Sequence, residues 1–453
     1  MSPRALRARD GRPRPLGRAA EAISPTSSCL CPSGLVLYSL EMTSPSQREV
    51  ALDDGSTANA IPGSGEPITI VYGPELASYS FSDEHPLQAG RYVLTMSLLS
   101  ALGWLEHPRL TFETPRFASL SELLTVHSYA YVQAVQTGQA VARGERPPVD
   151  LQVFGLGTSD DPLFPNIHDA AALYTGATIQ AMTAVLEKRA LHAYSPAGGQ
   201  HHAHRSQASG FCIYNDCAAA MAAAIAAGQR VVYIDFDAHH GDGVQDAFYD
   251  DPRALTISIH EAGQYLGPGT GDTAEAGKGD GLGSCLNIPL PAFVGDEAIL
   301  QAFERIIEPA VRAYAPDVIL TQTGVDAHHA DPLTHLTATL PLYPRLASRL
   351  HDLAHECASG RWVIVGGGGY DPADVTPRAW TAFIGTVLGR DVENVVLPEE
   401  WLQASRVAGG DPPPVLLQDP GPSYQPLEAV DFHSVLEKVE RAALARLLAR
   451  YGG

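Results

Sequence analysis

Three side chains able to bind metal or move protons alternate in the stretch VVYIDFDAHHGDGV (231–244): Asp235, Asp237 and His239. Residues two apart share a side of an extended backbone, so the spacing predicts one strand aiming all three the same way. A second D-A-H-H stretch begins at Asp326 and also closes an apolar run, Val318–Thr323. Asp237, His239 and Asp326 make a metal set of two carboxylates and one imidazole, which offsets a dication's charge and leaves a fourth position for water. Zinc suits this set, and its oxygen-rich character also admits ferrous iron. Capping of helices or turns is the plainer use of these aspartates. It does not account for the same four letters at two apolar strand ends.

A metal-bound water needs a base. Nine of the seventeen histidines lie between 201 and 335, a density that packing alone does not call for. The tandem His201-His202 sits in the Gly-rich loop GGQHHAHRSQASG, where imidazoles add little packing, and either ring could take the proton. Asp235 and Asp242 flank the metal set and could hold the far ring nitrogens. Tyr370 follows the run Gly366–Gly369, where the backbone can approach closely and present a phenol to a developing oxyanion. A nucleotide-binding reading of that glycine run is poor, because no phosphate-seeking lysine or ribose-binding acid follows at the right distance.

Most of these residues fall just after apolar segments, where open α/β sheets place their sites. Strands are predicted at Ile68–Tyr72, Ala190–Tyr194, 231–236, Ala254–Ile259, Val318–Thr323 and Trp362–Val365. Helices are predicted at Arg91–Leu102, near Ser119, through Tyr129–Val135, at His168–Lys188 and at Asn215–Ala227 closed by Gly228. Further helices are predicted at Asp296–Tyr314 with Asp296 as N-cap, Tyr343–Ser359 and Thr376–Leu388. Alternating strands and helices predict an α/β fold with a mainly parallel sheet. Residues 1–65, rich in Arg, Pro and Ser, read as a disordered tail, with Met42 as an alternative start; residues 66–395 read as one catalytic domain. Residues 396–453 read as a linker marked by Pro412, Pro413, Pro414, Pro420, Pro422 and Pro426, followed by a helix Ser434–Tyr451. Ser434 and Glu437 stand in capping-box spacing there, and Val435, Val439, Ala443 and Leu447 share a face that should dock on the body.

The chain has 453 residues, 45% of them hydrophobic, and a formal charge of −21. That charge argues against nucleic acid as the main partner and favours a cationic one, such as a lysine-bearing protein or a polyamine. Residues 1–48 hold seven Arg against one Asp and two Glu, so the acidity lies in the remainder. The longest apolar candidate, Cys217–Gly228, is too short to span a bilayer. Six scattered cysteines without paired C-x-x-C motifs fit a reducing cytoplasm.

Taken together, GGQHHAHRSQASGFCIYND (198–216), VYIDFDAHHGDG (232–243), PGTGD (268–272), GVDAHHADP (324–332) and GGGGYD (366–371) resemble the histone deacetylase family. The resemblance runs from Ile68 to Gly389, and the wording of TSDDPLFP and GGYDPADVTPRAW is most similar to its acetoin utilisation branch. It implies the three-layer arginase/deacetylase α/β sandwich and zinc-dependent hydrolysis of the amide of N-acetyl-lysine. It implies zinc on Asp237, His239 and Asp326, and His202 as principal general base and acid, held by Asp242. His201 then becomes the electrostatic partner, held by Asp235, and Tyr370 polarises the acetyl carbonyl. Asp160 at the tunnel rim, Gly210 and Phe211 along the tunnel, Arg91 in an internal channel, and a potassium ion near Asp235, Asp237, His239 and Ser258 are also implied. By analogy the substrate is an acetylated acyl-CoA synthetase. One departure stands out: Gly267 precedes PGTGD where the family carries an aromatic residue, so the tunnel is expected to be wider or walled by Leu266.

Three other readings compete. An arginase-like two-manganese centre would use D-A-H-x-D, but here the second acid comes one residue later, and the histidine pair has no role in it. Acetylpolyamine hydrolysis would use the same machinery on a small free substrate. A non-catalytic binder of acetylated proteins would not need His201, His202 and Tyr370 together.

Overall fold

In the computed structural model, residues 66–410, 417–418 and 430–452 are described. The expectations for residues 1–65 and for the prolines from 412 to 426 lie outside them. Eight strands form one sheet: β1 (Ile68–Val71), β2 (Leu110–Glu113), β3 (His192–Ser195), β4 (Val231–Asp235), β5 (Ala254–Glu261), β6 (Cys285–Leu290), β7 (Val318–Gln322) and β8 (Trp362–Val365). Their order is β2-β1-β3-β8-β7-β4-β5-β6, and every neighbouring pair is parallel. The central strands are buried along their whole length, as an apolar run covered on both faces must be.

Helices cover the sheet in two groups. Tyr129–Ala142, Ile167–Leu186 and Asp216–Ala226 pack on one another, as do Gly90–Ala101, Leu342–Ala358, Val375–Val387 and Glu399–Val407. The result is the three-layer α/β arrangement, with the apolar core on each side of the sheet. The Ala-rich segment forms the helix Asp216–Ala226, capped by Asn215, whose side chain accepts from the Ala218 N–H. Small Ala side chains let this helix and Ile167–Leu186 approach closely.

Several local expectations are corrected. β4 stops at Asp235, so Asp237 and His239 lie on the following bend, not on the strand. The helix from 296 is capped by Gly295, because the Asp296 carboxylate instead accepts from the backbone and hydroxyl of Thr339. The Ser434–Glu437 capping box does not form; the Asp431 carboxylate takes the His433 and Ser434 N–H groups in its place. The terminal helical segment nevertheless buries Leu436, Val439, Ala443 and Leu447. Elements absent from the sequence reading include β2, β6, the short helix Asp242–Ala247 and the helix Glu399–Val407. In that helix Trp401 is buried and donates its indole N–H to Leu94 O at 3.0 Å. Among the described residues no helix is long and apolar enough to cross a membrane, and the four described cysteines are free.

Candidate active site

Parallel pairing places Asp235, the last residue of β4, beside Gln322, the last of β7, and Gln322 beside Val365 of β8. The loops leaving these three adjacent strands therefore meet over one end of the sheet. Asp237 and His239 come from the first loop, Asp326 from the second and Gly366–Tyr370 from the third. A chain of short bonds sets the turn after β4. Asp237 N–H donates to Asp235 Oδ1, His239 N–H to Asp237 Oδ1 and Ala238 N–H to Asp326 Oδ1, at 2.8–3.1 Å. These bonds, not strand alternation, aim the three side chains together.

His239 Nδ1 lies 3.1 Å from Asp237 Oδ1 and 2.9 Å from Asp326 Oδ2. One ligand-type atom from each of the three falls within 4.8 Å of the others. Asp237 Oδ2 also accepts from Gln322 Nε2 and from Gly368 N–H, each at 2.6 Å. Gly368 has to be glycine: a Cβ there would sit 2.7 Å from Asp237 Oδ2 and press harder still on Asp326. Burial penalises both carboxylates, yet His201 and His239 hold Asp237 well below the usual range. Burial and the facing Asp237 drive Asp326 well above it. Two buried carboxylates short of positive charge, closed around one imidazole, fit a divalent cation on these three residues.

The histidine pair stands beside this cradle. His201 Nδ1 is 2.7 Å from Asp235 Oδ2, and His202 Nδ1 is 2.7 Å from Asp242 Oδ1. The Tyr233 hydroxyl donates to the same Asp235 oxygen at 2.6 Å. For His201, burial resists the charge but Asp235 and Asp237 outweigh it, raising the ring to about 9. For His202, burial and the charge on His201 together push the ring down to about 4, against the pull of Asp242. Of the two rings, His201 is therefore favoured in the charged form and His202 in the neutral one.

Tyr370 completes the group. Its ring stands edge-on to His239 and to Phe211, with centroids 6.3 and 5.8 Å away. Tyr370, His201, His202, Asp237 and Gly210 line one cavity, which reaches back to Arg91. Gly210 has φ +54°, and a Cβ on it would strike the His202 ring. Phe211 is itself left-handed, with φ +67°, and the Tyr79 hydroxyl holds its carbonyl at 2.7 Å. Arg91 donates to Gly369 O at 3.2 Å and lies over Trp380.

Three expected residues stand apart from this cavity. Asp160 is exposed, with its carbonyl 3.1 Å from His85 Nε2, while His85 touches the Phe211 ring. Leu266 packs partly buried against the core, and a Cβ on Gly267 would meet nothing within 4 Å. Ser258 lies behind the histidine pair, bonded to His260 Nδ1 at 2.8 Å.

Supporting residues escaped the sequence reading. Gln322 and Gly368 hold Asp237. Asp331 accepts the Tyr370 N–H at 2.8 Å. Asn215 Nδ2 donates to the carbonyls of His201 and Ala203, and Asp216 takes the N–H groups of Gly199 and Gln200. His204 reaches both Asp242 and Asp246. A polar Asn-Asp pair heading an apolar helix, and a lone Gln ending an apolar strand, were the available signals.

A family model described as the histone deacetylase domain matches residues 85–387. The chain belongs to the histone deacetylase family. Within it, the chain is 43% identical over 361 residues to the acetoin utilization protein AcuC of Bacillus subtilis (strain 168), covering 79% of this chain and 91% of that one. It is 37% identical over 333 residues to the AcuC of Staphylococcus aureus (strain MRSA252), covering 73% and 84%. The crystal structure of a histone deacetylase homologue from Aquifex aeolicus superposes with TM-score 0.72 at 28% identity, covering 83% of this chain and all of that one. A homologue complexed with SAHA gives 0.71 at the same identity, covering 83% and 99%. The arginase/deacetylase α/β sandwich expected from the motifs is thus the fold observed. The histone deacetylase membership makes this chain a deacetylase, a hydrolase of amides.

Proposed function

We propose that the chain hydrolyses the amide of N-acetyl-lysine in proteins, releasing acetate and the free lysine. The observation that carries this reading is the clustering of Asp237, His239 and Asp326 beside a cavity that Asp237 shares with two aspartate-anchored imidazoles and the Tyr370 phenol. A zinc ion, or ferrous iron, held by those three residues would supply Lewis acidity to a water and to the acetyl oxygen. The chain's own residues supply the rest. His202, kept neutral, takes the proton of the attacking water at Nε2 while Asp242 fixes its other nitrogen. His201 stays charged between Asp235 and Asp237 and favours the negative charge that develops nearby. The Tyr370 phenol donates to the acetyl oxygen as the carbonyl carbon becomes tetrahedral. His202 then returns its proton to the leaving amine as the C–N bond breaks.

Asp235 and Ser258, both buried, belong to the proposed potassium site behind the histidine pair. Asp160 is assigned to the rim, where its exposure leaves it available to a substrate backbone. An acetylated acyl-CoA synthetase is the substrate we propose, and the cytoplasm the compartment. The test is competition between acetyl-lysine peptides and acetylpolyamines for the metal-loaded chain. A higher kcat/KM on the peptides supports the reading, and a preference for the polyamines overturns it.

A further inference from the structure

A second group of ligand-type side chains lies at the opposite end of the sheet. His192 is the first residue of β3, paired with Ile68 and Trp362 at the amino ends of their strands. His351 and His355 are one turn apart near the carboxyl end of the helix Leu342–Ala358, so both face the same way. The three imidazoles pack together, with ring centroids 4.9 Å (His192–His351), 5.3 Å (His192–His355) and 4.6 Å (His351–His355) apart. One ring nitrogen from each lies within 4.8 Å of the others.

His192 is fully buried, and its ring nitrogens make no hydrogen bond of full geometry; only the Gly360 backbone acts on the ring as a weak partner. His355 Nε2 and Glu66 Oε2 face each other at 3.3 Å, and neither makes a hydrogen bond. A buried polar group left so is unfavourable, and an aliphatic residue would fill the same space without that penalty. An electrophile shared by several imidazole nitrogens would satisfy the fully buried His192. Glu66 also attracts the Arg109 guanidinium, so a cation here meets a competing positive charge, offset by the carboxylate and by the partial negative charge of the helix end.

We propose that His192, His351 and His355, with Glu66 as an oxygen donor, form a structural site for a divalent transition metal of the zinc class. Imidazole-rich donor sets suit such ions, which bind imidazole nitrogen at about 2.0–2.1 Å in tetrahedral sites. The bound ion would tie β3 to the last turns of the Leu342–Ala358 helix, away from the catalytic loops at the other end of the strands.

The test counts metal on the full-length chain. Stripped protein is titrated with Zn2+, and with Co2+ for its absorption bands. The wild type should bind two equivalents, and Asp326→Asn and His355→Asn one each. The double variant should bind none. His355 is partly exposed, so its replacement should leave the fold intact; His351→Gln provides the check if it does not. Zn2+ should raise the Tm of Asp326→Asn and not that of the double variant. One equivalent in the wild type, or two retained in His355→Asn and in His351→Gln, overturns the proposal. Loss of both equivalents in Asp326→Asn overturns it too, by pointing to a two-metal centre at the cradle. None of these readouts depends on the deacetylation reading.

Discussion

His201 and His202 face each other Nε2 to Nε2 at 3.1 Å. Each ring is pinned at its other nitrogen by a different aspartate, Asp235 for His201 and Asp242 for His202. Two like groups at this distance cannot both hold a proton cheaply, so their affinities split, with His201 at about 9 and His202 at about 4. In the proposed mechanism the neutral ring is the base, and the charged ring keeps it neutral.

His202→Ala should lower kcat by about 10²-fold or more, since it removes a general base. His201→Gln should act differently. Burial and the positive charge of His201 both hold His202 low. Removing that charge raises His202, so its protonation begins at higher pH and the acid limb of kcat/KM moves upward. A pH–rate profile of both variants checks this, and an unmoved acid limb in His201→Gln would contradict the coupling.

Replacing Tyr370 by Phe should cost about 10²–10³-fold in kcat, the scale of one lost oxyanion donor. Metal content should stay unchanged, because the hydroxyl is not one of the three cradle groups. Elemental analysis alongside kinetics separates a missing donor from a damaged site.

The cradle itself is tested by Asp237→Ala and Gly368→Ala. The first removes a proposed ligand and should abolish metal binding at the cradle. The second adds a Cβ that collides with Asp326 and Asp237, so it should weaken metal affinity while keeping every donor. Isothermal titration of the stripped chains with Zn2+ measures both effects.

Gly267→Phe puts an aromatic ring where a Cβ meets open space. The variant should fold normally and narrow the approach to the tunnel that the family resemblance implies. Its kcat/KM on acetylated proteins should fall relative to that on short acetyl-lysine peptides, which a paired assay reads directly.

Acid should destabilise the fold through His127. Its Nδ1 donates to His204 O at 3.0 Å and its Nε2 accepts the Asn215 N–H at 3.0 Å, so the ring is locked neutral beneath the loop that carries the histidine pair. Burial pushes it down to about 4, against roughly 6.5 in the unfolded chain. Between those values the unfolded state binds the extra proton. The folded state therefore keeps its full stability above about pH 6.5 and loses about 3 kcal/mol as pH falls toward 4. Denaturant unfolding from pH 7 to pH 4 should show a shallower loss in His127→Gln than in the wild type.

The chemistry was legible in the sequence because it is written in local runs. D-x-D-x-H after an apolar segment, a second D-A-H-H, a histidine pair and a tyrosine after four glycines name their residues without coordinates. The parallel α/β class followed from the alternation of segments. The edge strands were not legible: β2 is half-exposed and lacks the dense apolar signal of a central strand, while β6 carries Pro289, which an edge tolerates. The helix Glu399–Val407 has meaning only through Trp401, whose partner Leu94 is some three hundred residues away. Tertiary structure alone placed β7 beside β4, and so brought Asp326 to Asp237. It also decided which histidine carries the proton, because that depends on Asp235, Asp237 and Asp242, all from the end of β4 and the stretch after it, meeting the distant loop that carries the pair, and on the exclusion of water around them. Residue types name the possible chemistry, whereas distance and burial set the charges with which it is done.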